Sequence, residues 1–535
     1  MGGEEDMKAA NVKGMRAEAG YDVTIVCCSS AKQAQFWTAR LGAGRGSVVP
    51  EGGMVVAVDE DWAGGGAGNG LGTLYAWTKA CKELEATSGR DVAAELAQGR
   101  ISAALYHTAG KGTRMAPLPG SENNNKPGVK LPARVDLRGE GGSSAVSILE
   151  SVIRQTGAYA GSRKGRLSVY WGDQVFVPSK PTAYTPTHHA DILCSLIPMP
   201  DAATWAAKGL QNYGLIAVNG EGNAAQVEKV DYPTADKLLK SLGVVESVGT
   251  SLGSFSLSAA LLSGLVAEFA PELGAKVAKM DTDPHWWMPL TLARTGYADL
   301  MAGKGVAEAE SQAHWDRMDA FKARVLGAHS GTPLAPGGPP ANGLFGAVDV
   351  GDNCYWWDYG QLKFYLDAVL LLARPAGDTE AEMARQFFGC GLTASGDAVV
   401  TDCAFPETTA KVSASVLANV HVAGAVEAKG AVLVNVSARS VKAGPGCILY
   451  NVCSNEDIVM ADGDVRVGVF TEDAAAPYFE MKSRIDIDSG KAFKDTLPGN
   501  TRSFQDVYDL NADADCAACT RLGQQAHADL RATFA

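Results

Sequence analysis

The densest chemistry in the sequence lies in residues 106–132, YHTAGKGTRMAPLPGSENNNKPGVKLP. A β-rich run leads into Gly110-Lys-Gly-Thr-Arg114, and a polar loop continues to Lys126-Pro-Gly-Val-Lys130-Leu-Pro132. Glycines let backbone N–H groups wrap an anion, and Arg and Lys add fixed positive charge to its oxygens. Gly110, Lys111, Gly112, Thr113, Arg114, Lys126 and Lys130 are therefore suited to holding phosphate. The GKS or GKT ending of a P-loop is absent, so ordinary kinase or ATPase chemistry is not indicated. A second glycine-rich stretch, Gly68-Asn-Gly-Leu-Gly-Thr-Leu-Tyr-Ala76, is either a tight turn before a helix or a loop that admits a ligand. His188-His189 lacks a third nearby metal ligand. His421 stands alone, and one His is weak support for acyl-transfer chemistry. The pairs Trp286-Trp287 and Trp356-Trp357 suit either a core or a sugar-stacking surface.

These residues need a scaffold, and the pattern supplies one. Up to about residue 375, short apolar runs (21–27, 54–58, 101–106 and 167–171) alternate with helical stretches. That alternation predicts a mostly parallel sheet covered by helices, with ligands beyond the carboxyl ends of the strands. Residues 145–153 and 361–372 read as helices, 328–343 as a Pro/Gly-rich surface loop, and 373–382 as a linker. Beyond residue 404 the texture changes. Ala414, Val420, Val426, Val432 and Ala438 recur every six residues, as do Val416, Val422, Ala428 and Val434. A six-residue aliphatic period predicts a short parallel β-helix of hexads. A solenoid that short must cap itself on another domain or another subunit, which leaves a homo-oligomer open.

The chain has 535 residues, enough for two or three domains. With 46% hydrophobic and 20% charged residues it is not a disordered sequence. The 60 acidic against 47 basic residues, a net charge of −13, argue against a nucleic-acid surface, which needs a basic face. A local cationic pocket remains compatible with that balance. Eleven cysteines, with Cys516 and Cys519 the one CxxC pair, suit buried thiols in a reducing compartment. No run of about 18 apolar residues suggests a membrane span. The polar, acidic start is unlike a secretory signal, so the expected location is cytoplasmic.

Taken together, the G-x-G-T-R loop, the Pro-Leu pair that follows and the Lys126-Pro127 step resemble sugar-1-phosphate nucleotidyltransferases, the nucleotide-sugar pyrophosphorylases. Tyr170-Trp171-Gly172-Asp173 resembles that family's first metal aspartate. Tyr213-Gly214 through Glu228-Lys229 resembles its sugar-phosphate segment, and Trp357-Asp358-Tyr359-Gly360 its second metal aspartate. The order of the first hundred residues, with His107 before the phosphate loop, is closer to the fucose-1-phosphate guanylyltransferase branch. The loop itself is nearer the general family, Asn69 stands where that branch has Ser, and no fucokinase segment follows.

The resemblance implies an α/β chain with a Rossmann-like nucleotidyltransferase domain of mixed, mostly parallel sheet over residues 1–385. A short left-handed parallel β-helix with a C-terminal tail would occupy 386–535. It implies catalytic roles for Arg114 and Lys126 on the triphosphate, with Gly68, Gly70, Gly72, Thr73, Gly110, Lys111, Gly112, Thr113 and Lys130 around the NTP. Gly214, Glu228 and Lys229 would hold the sugar phosphate, and Asp173 and Asp358 would hold Mg²⁺. GTP with fucose 1-phosphate fits the resemblance best. UTP with a glucose-type sugar is the nearest alternative, and a non-catalytic regulatory subunit that binds sugar nucleotides is another. Neither nucleic acid nor membrane is an expected partner.

Overall fold

The computed structural model describes residues 2–15, 19–63, 65–139, 142–334 and 340–534. The first strands form where apolar, β-branched runs alternate with helices: β1 (Val23–Cys28), β2 (Met54–Asp59) and β3 (Ala103–His107). All six β1 side chains are buried, as a strand covered on both faces requires. β1 lies between β2 and β3, and β3 pairs with β6 (Arg166–Trp171), every pairing parallel. Helices α2 (Ala31–Ala43) and α3 (Gly68–Ser88) provide the crossovers. Between β3 and β6 the chain inserts an antiparallel ribbon, β4 (Lys130–Asp136) with β5 (Ser143–Ser147).

The second half of the sheet departs from the expected parallel order. β11 (Val245–Ser258) pairs antiparallel with β6, with β8 (His188–Pro198) and with β9 (Gly214–Asn219). β9 pairs antiparallel with the edge strand β10 (Ala224–Glu228), and β12 (Gly343–Asp349) joins β8 in parallel. The sheet is thus mixed, with a parallel block of β2, β1, β3 and β6. β11 can serve two neighbours along one edge because its register shifts between Ser251 and Phe255. At Gly253, φ is +74° and any Cβ would fall 2.2 Å from the Trp171 indole nitrogen, so only glycine fits that bulge. A separate antiparallel ribbon joins β7 (Gln174–Val177) to β13 (Tyr355–Asp358).

Three local readings change. Residues 145–153 are a strand end running into the helix Ile148–Thr156, because Ser147 and Glu150 close a capping box there. Residues 373–382 are no linker: Asp378 caps the helix Thr379–Phe388, whose Phe387 and Phe388 pack on Trp357. The boundary expected at 385/386 falls inside that helix. The acidic start forms helix α1 (Gly2–Met15), anchored by Val12, Met15 and the Asn11 amide, which donates 2.8 Å bonds to the Pro178 and Lys180 carbonyls. Of the expected surface loop at 328–343, residues 335–339 lie outside the described residues.

From Val399 the chain stacks strands in parallel. β14 (Val399–Thr401), β16 (Val416–Val422), β18 (Val432–Ala443), β19 (Ile448–Tyr450) and β21 (Asp464–Phe470) form one continuous ladder. β15 (Ala410–Ser413), β17 (Val426–Lys429) and β20 (Cys453–Met460) stack alongside on β18, and β22 (Tyr478–Arg484) closes the ladder antiparallel to β21. Val416, Val432 and Ile448 are stacked partners, a step of 16 residues and not three hexads. The turns explain the shortened step. Asn419, Asn435 and Asn451 each adopt left-handed φ near +54°, and their amides bond up the stack, Asn419 to Asn435 at 2.7 Å and Asn435 to Asn451. The chain then returns over the first unit. Ser121 donates to the Gly468 carbonyl at 2.6 Å, and the Tyr450 hydroxyl accepts from the Lys130 amide at 2.8 Å.

Candidate active site

β1, β3 and β6 end on one side of the sheet, and their following loops wall an open cleft of about 640 Å³. Gly110, Lys111, Gly112, Thr113, Arg114, Lys126 and Asp173 all line it. The fold therefore brings the glycine loop, its distal lysine and one aspartate to a single place. Gly112 makes this packing possible: its φ is +62°, and a Cβ there would sit 3.1 Å from the Lys126 Cβ. Ser29, from the loop after β1, accepts the Gly110 amide at 3.1 Å and pins the near end of the loop.

Lys126 and Asp173 form an ion pair of 2.6 Å inside the cleft, both partly shielded from water. Asp173 lies in the turn from β6 to β7, and Asp358 ends β13, the antiparallel partner of β7. Convergence of the two acids therefore comes from the β7–β13 ribbon, not from two parallel strand ends. The Tyr359 amide donates to the Asp173 carbonyl at 2.9 Å, locking the two turns together. The Asp358 carboxylate accepts the Gly360 amide at 2.6 Å. Burial pushes Asp358 above the usual carboxylate range, and the Asp173 charge adds to that; the Gly360 bond, Lys126 and Arg114 oppose it. Among the described residues, no group of three or more His, Cys, Asp or Glu is placed to hold a metal. A cation between these two carboxylates would have to complete its shell with water or substrate oxygens, the habit of Mg²⁺.

Asp358 itself does not line that cleft but a second one, of about 800 Å³. Its walls include Lys208, Tyr213, Trp356, Phe364 and Arg374. Tyr213, Trp356 and Phe364 are exposed, a concentration of aromatic surface that a folded chain normally covers.

Other expected residues lie elsewhere. Gly68 lines the first cleft, but Gly70, Gly72 and Thr73 do not. The amides of Gly70 and Leu71 already donate to the Met280 carbonyl, at 2.9 and 3.3 Å, and the Asn69 amide donates to the Asp281 carboxylate at 3.0 Å. A Cβ on Gly70 would approach the Met280 oxygen to 2.9 Å, so this glycine admits residues 280–281 to the helix start. Thr73 is fully buried and bonds His107 Nε2 at 2.8 Å. Lys130 is occupied by Glu122 at 2.9 Å and the Gly128 carbonyl at 2.7 Å. Gly214 and Glu228 sit on the edge pair β9–β10 and line neither cleft. Glu228 pairs with Lys304 at 2.8 Å and Lys229 at 3.5 Å.

The cleft also holds residues to which the sequence assigned no site role. Glu60, at the end of β2, accepts the Ala67 amide, and burial raises its carboxyl. His107 ends β3, and burial pushes its imidazole down to about 4, so it is neutral at pH 7. Lys279, Asp281 and Tyr508 complete the lining. The first two stand in KMDTDPH, a charged cluster ahead of the buried Trp286-Trp287 that was a usable signal. Tyr508 gave none, because it reaches the cleft only through the returning tail.

No protein-family model and no curated protein matches the chain. Among solved structures, a Bacillus anthracis protein named as a glucose-1-phosphate thymidylyltransferase, in complex with a sucrose, aligns over 67% of this chain and 98% of that one, at 10% identity and a TM-score of 0.18. At that score the likeness carries no argument. No helix among the described residues is long and apolar enough to cross a membrane.

Proposed function

We propose that this chain is a sugar-1-phosphate nucleotidyltransferase, joining an NTP and a sugar 1-phosphate to give an NDP-sugar and pyrophosphate. One observation carries the reading: Lys111, Arg114 and Lys126 share a cleft with Asp173, and Asp358 lies across the β7–β13 ribbon from it. A phosphate-bearing ligand suits the glycine loop with its three cations, and the paired acids suit a divalent ion. The second cleft, which Asp358 lines, offers aromatic surface for a sugar ring and Lys208 for its phosphate. That location replaces Glu228 and Lys229, which line neither cleft, Glu228 being paired with both Lys304 and Lys229.

In the proposed reaction an oxygen of the sugar phosphate attacks the α-phosphorus. The new O–P bond forms as the bond to the β-phosphate oxygen breaks, and pyrophosphate leaves with its electron pair. Such chemistry asks the protein for positioning and charge stabilisation more than for covalent help. Arg114 and Lys111 hold the departing β- and γ-phosphates. Lys126 leaves Asp173 for the α-phosphate, where negative charge gathers. Asp173 and Asp358 would hold a Mg²⁺, which would supply neutralisation of phosphate charge. His107, kept neutral by burial and bonded to the buried Thr73, adds no charge to the cleft.

GTP and fucose 1-phosphate are the proposed pair, with UTP and a glucose-type sugar as competitor. We read the C-terminal unit as a parallel β-helix on the strength of its parallel stacking, and propose a left-handed coil and a homo-oligomer through it. The proposed compartment is the cytoplasm. The deciding experiment is a matrix of NTPs against sugar 1-phosphates, read as pyrophosphate release. Arg114→Ala and Lys126→Ala should each lower turnover at least ~100-fold in the productive pair. Tight sugar-nucleotide binding with no pyrophosphate release from any pair would favour the regulatory-subunit alternative.

A further inference from the structure

The phosphate loop is held from behind by a part of the chain almost four hundred positions away. Ser489 donates to the Ala116 carbonyl at 2.8 Å, Asn124 to the Tyr508 carbonyl at 2.6 Å, and Asn511 to the Gly120 carbonyl at 2.8 Å. Val507 packs so closely on Gly120 that a Cβ there would stand 3.0 Å from its methyl, and Gly490 lies against the Arg114 side chain in the same way, at 3.4 Å. Only about 20 Å³ remains between the two layers. The helix Phe504–Leu510 then turns two side chains toward Lys111. Its ammonium lies 4.9 Å from the centre of the Tyr508 ring and donates to Gln505 Oε1 at 3.4 Å. The same ring lines the cleft.

We infer that residues 488–511 clamp the phosphate loop and that Tyr508 is the positioning residue for Lys111, which rests on the reading of the cleft as a triphosphate site. A lysine on a loop of glycines has great rotamer freedom, and a charge that must be ordered on binding loses affinity by that cost. The loop's own glycines cannot restrain it: Gly110 and Gly112 both hold positive φ and present no side chain. A ring under the ammonium and an amide oxygen beside it fix the cation in place without neutralising it, as a carboxylate would. The donor set therefore prepares the loop for an anion before one arrives. The chemistry recognised is a polyphosphate chain. The nucleobase plays no part in this contact.

The test uses the full chain and inorganic tripolyphosphate as probe, with affinity read by calorimetry and folding by thermal unfolding. Tyr508→Leu should weaken tripolyphosphate binding about fivefold, the upper end of the range of a cation–π contact at an exposed site. Tyr508→Phe, which keeps the ring, should bring binding back to within about threefold of wild type. Lys111→Met should weaken binding too, and combining it with Tyr508→Leu should add little, because the ring acts through the lysine. If Tyr508→Leu does not fold, Gln505→Ala on the exposed side of the helix carries the same cycle, with a smaller loss of about threefold. Unchanged affinity in Tyr508→Leu, or full additivity with Lys111→Met, overturns the clamp while leaving the cleft reading intact. A wild-type protein that binds neither tripolyphosphate nor any NTP overturns both.

Discussion

Burial and the neighbouring Asp173 both favour the protonated form of Asp358, which makes this residue a sensitive reporter of the cleft. Its folded-state pKa lies above the unfolded value, so the stability it contributes is fullest below the unfolded value, near pH 4, and is lost as pH rises through the folded one. Once ionised, the half-buried acid weakens the fold. Asp358→Asn should therefore raise the melting temperature by about 1 °C or more at pH 7, with the gain vanishing below about pH 4. The same variant should lose most turnover. A melting temperature that does not move at pH 7 would show that the two acids do not burden each other. Asp173 differs, because Lys126 sits on it at 2.6 Å. Asp173→Asn releases a lysine already in the cleft, so its effect on stability should be smaller and its effect on turnover as large.

At the scale of elements, the asparagine column decides whether the C-terminal strands stack at a fixed step. Asn435 holds φ near +54° and bonds both the asparagine above and the one below. Alanine at this position loses both amide contacts and sits strained in the left-handed region, a cost of about 2–3 kcal/mol. Asn435→Gly relieves the strain but not the lost bonds, so it should cost less. Denaturant unfolding of the two variants separates the contributions, and equal losses would show that backbone strain is irrelevant to the turn. The six-residue aliphatic period pointed to stacked strands here but not to their spacing. Periodicity reports which side chains face inward, while the step is set by how many residues each corner spends, and the Asn turns shorten it.

Across the whole molecule, burial holds seven of the eight imidazoles below their usual range. Burial lowers His107 and His189 to about 4 and His527 to about 3, and it lowers His188, His285, His314 and His421 as well. Each depressed imidazole contributes stability that is present above its unfolded value near 6.5 and is lost as pH falls toward the folded one. Melting temperature should thus fall steadily between about pH 6.5 and 4, before most carboxylates titrate. Replacing His527, whose Nδ1 bonds Ser437 at 2.8 Å beneath the C-terminal helix, with Gln should flatten part of that slope. A flat profile above pH 5 would mean these rings are not neutral by burial.

Local sequence was enough for the parallel block around β1 and for placing a glycine loop and an Asp after strands. Those features depend on runs of a few residues, whose burial pattern and turn chemistry act over short range. It was enough, too, to mark residues 410–443 as stacked β. It did not determine that the second half of the sheet turns antiparallel, because pairing direction depends on which distant strand offers a free edge. Nor could spacing along the chain separate Gly68, which faces the cleft, from Gly70, whose neighbours across space are Met280 and Asp281. Lys130 and Glu228 carry the right charge for phosphate and for sugar, yet each meets a counter-charge that only folding brings near. Tyr508 joined the site by the same route. A residue's type is written in the chain, but what it touches is fixed by contacts whose energy depends on distance in space, and those exist only once the tail has closed over the phosphate loop.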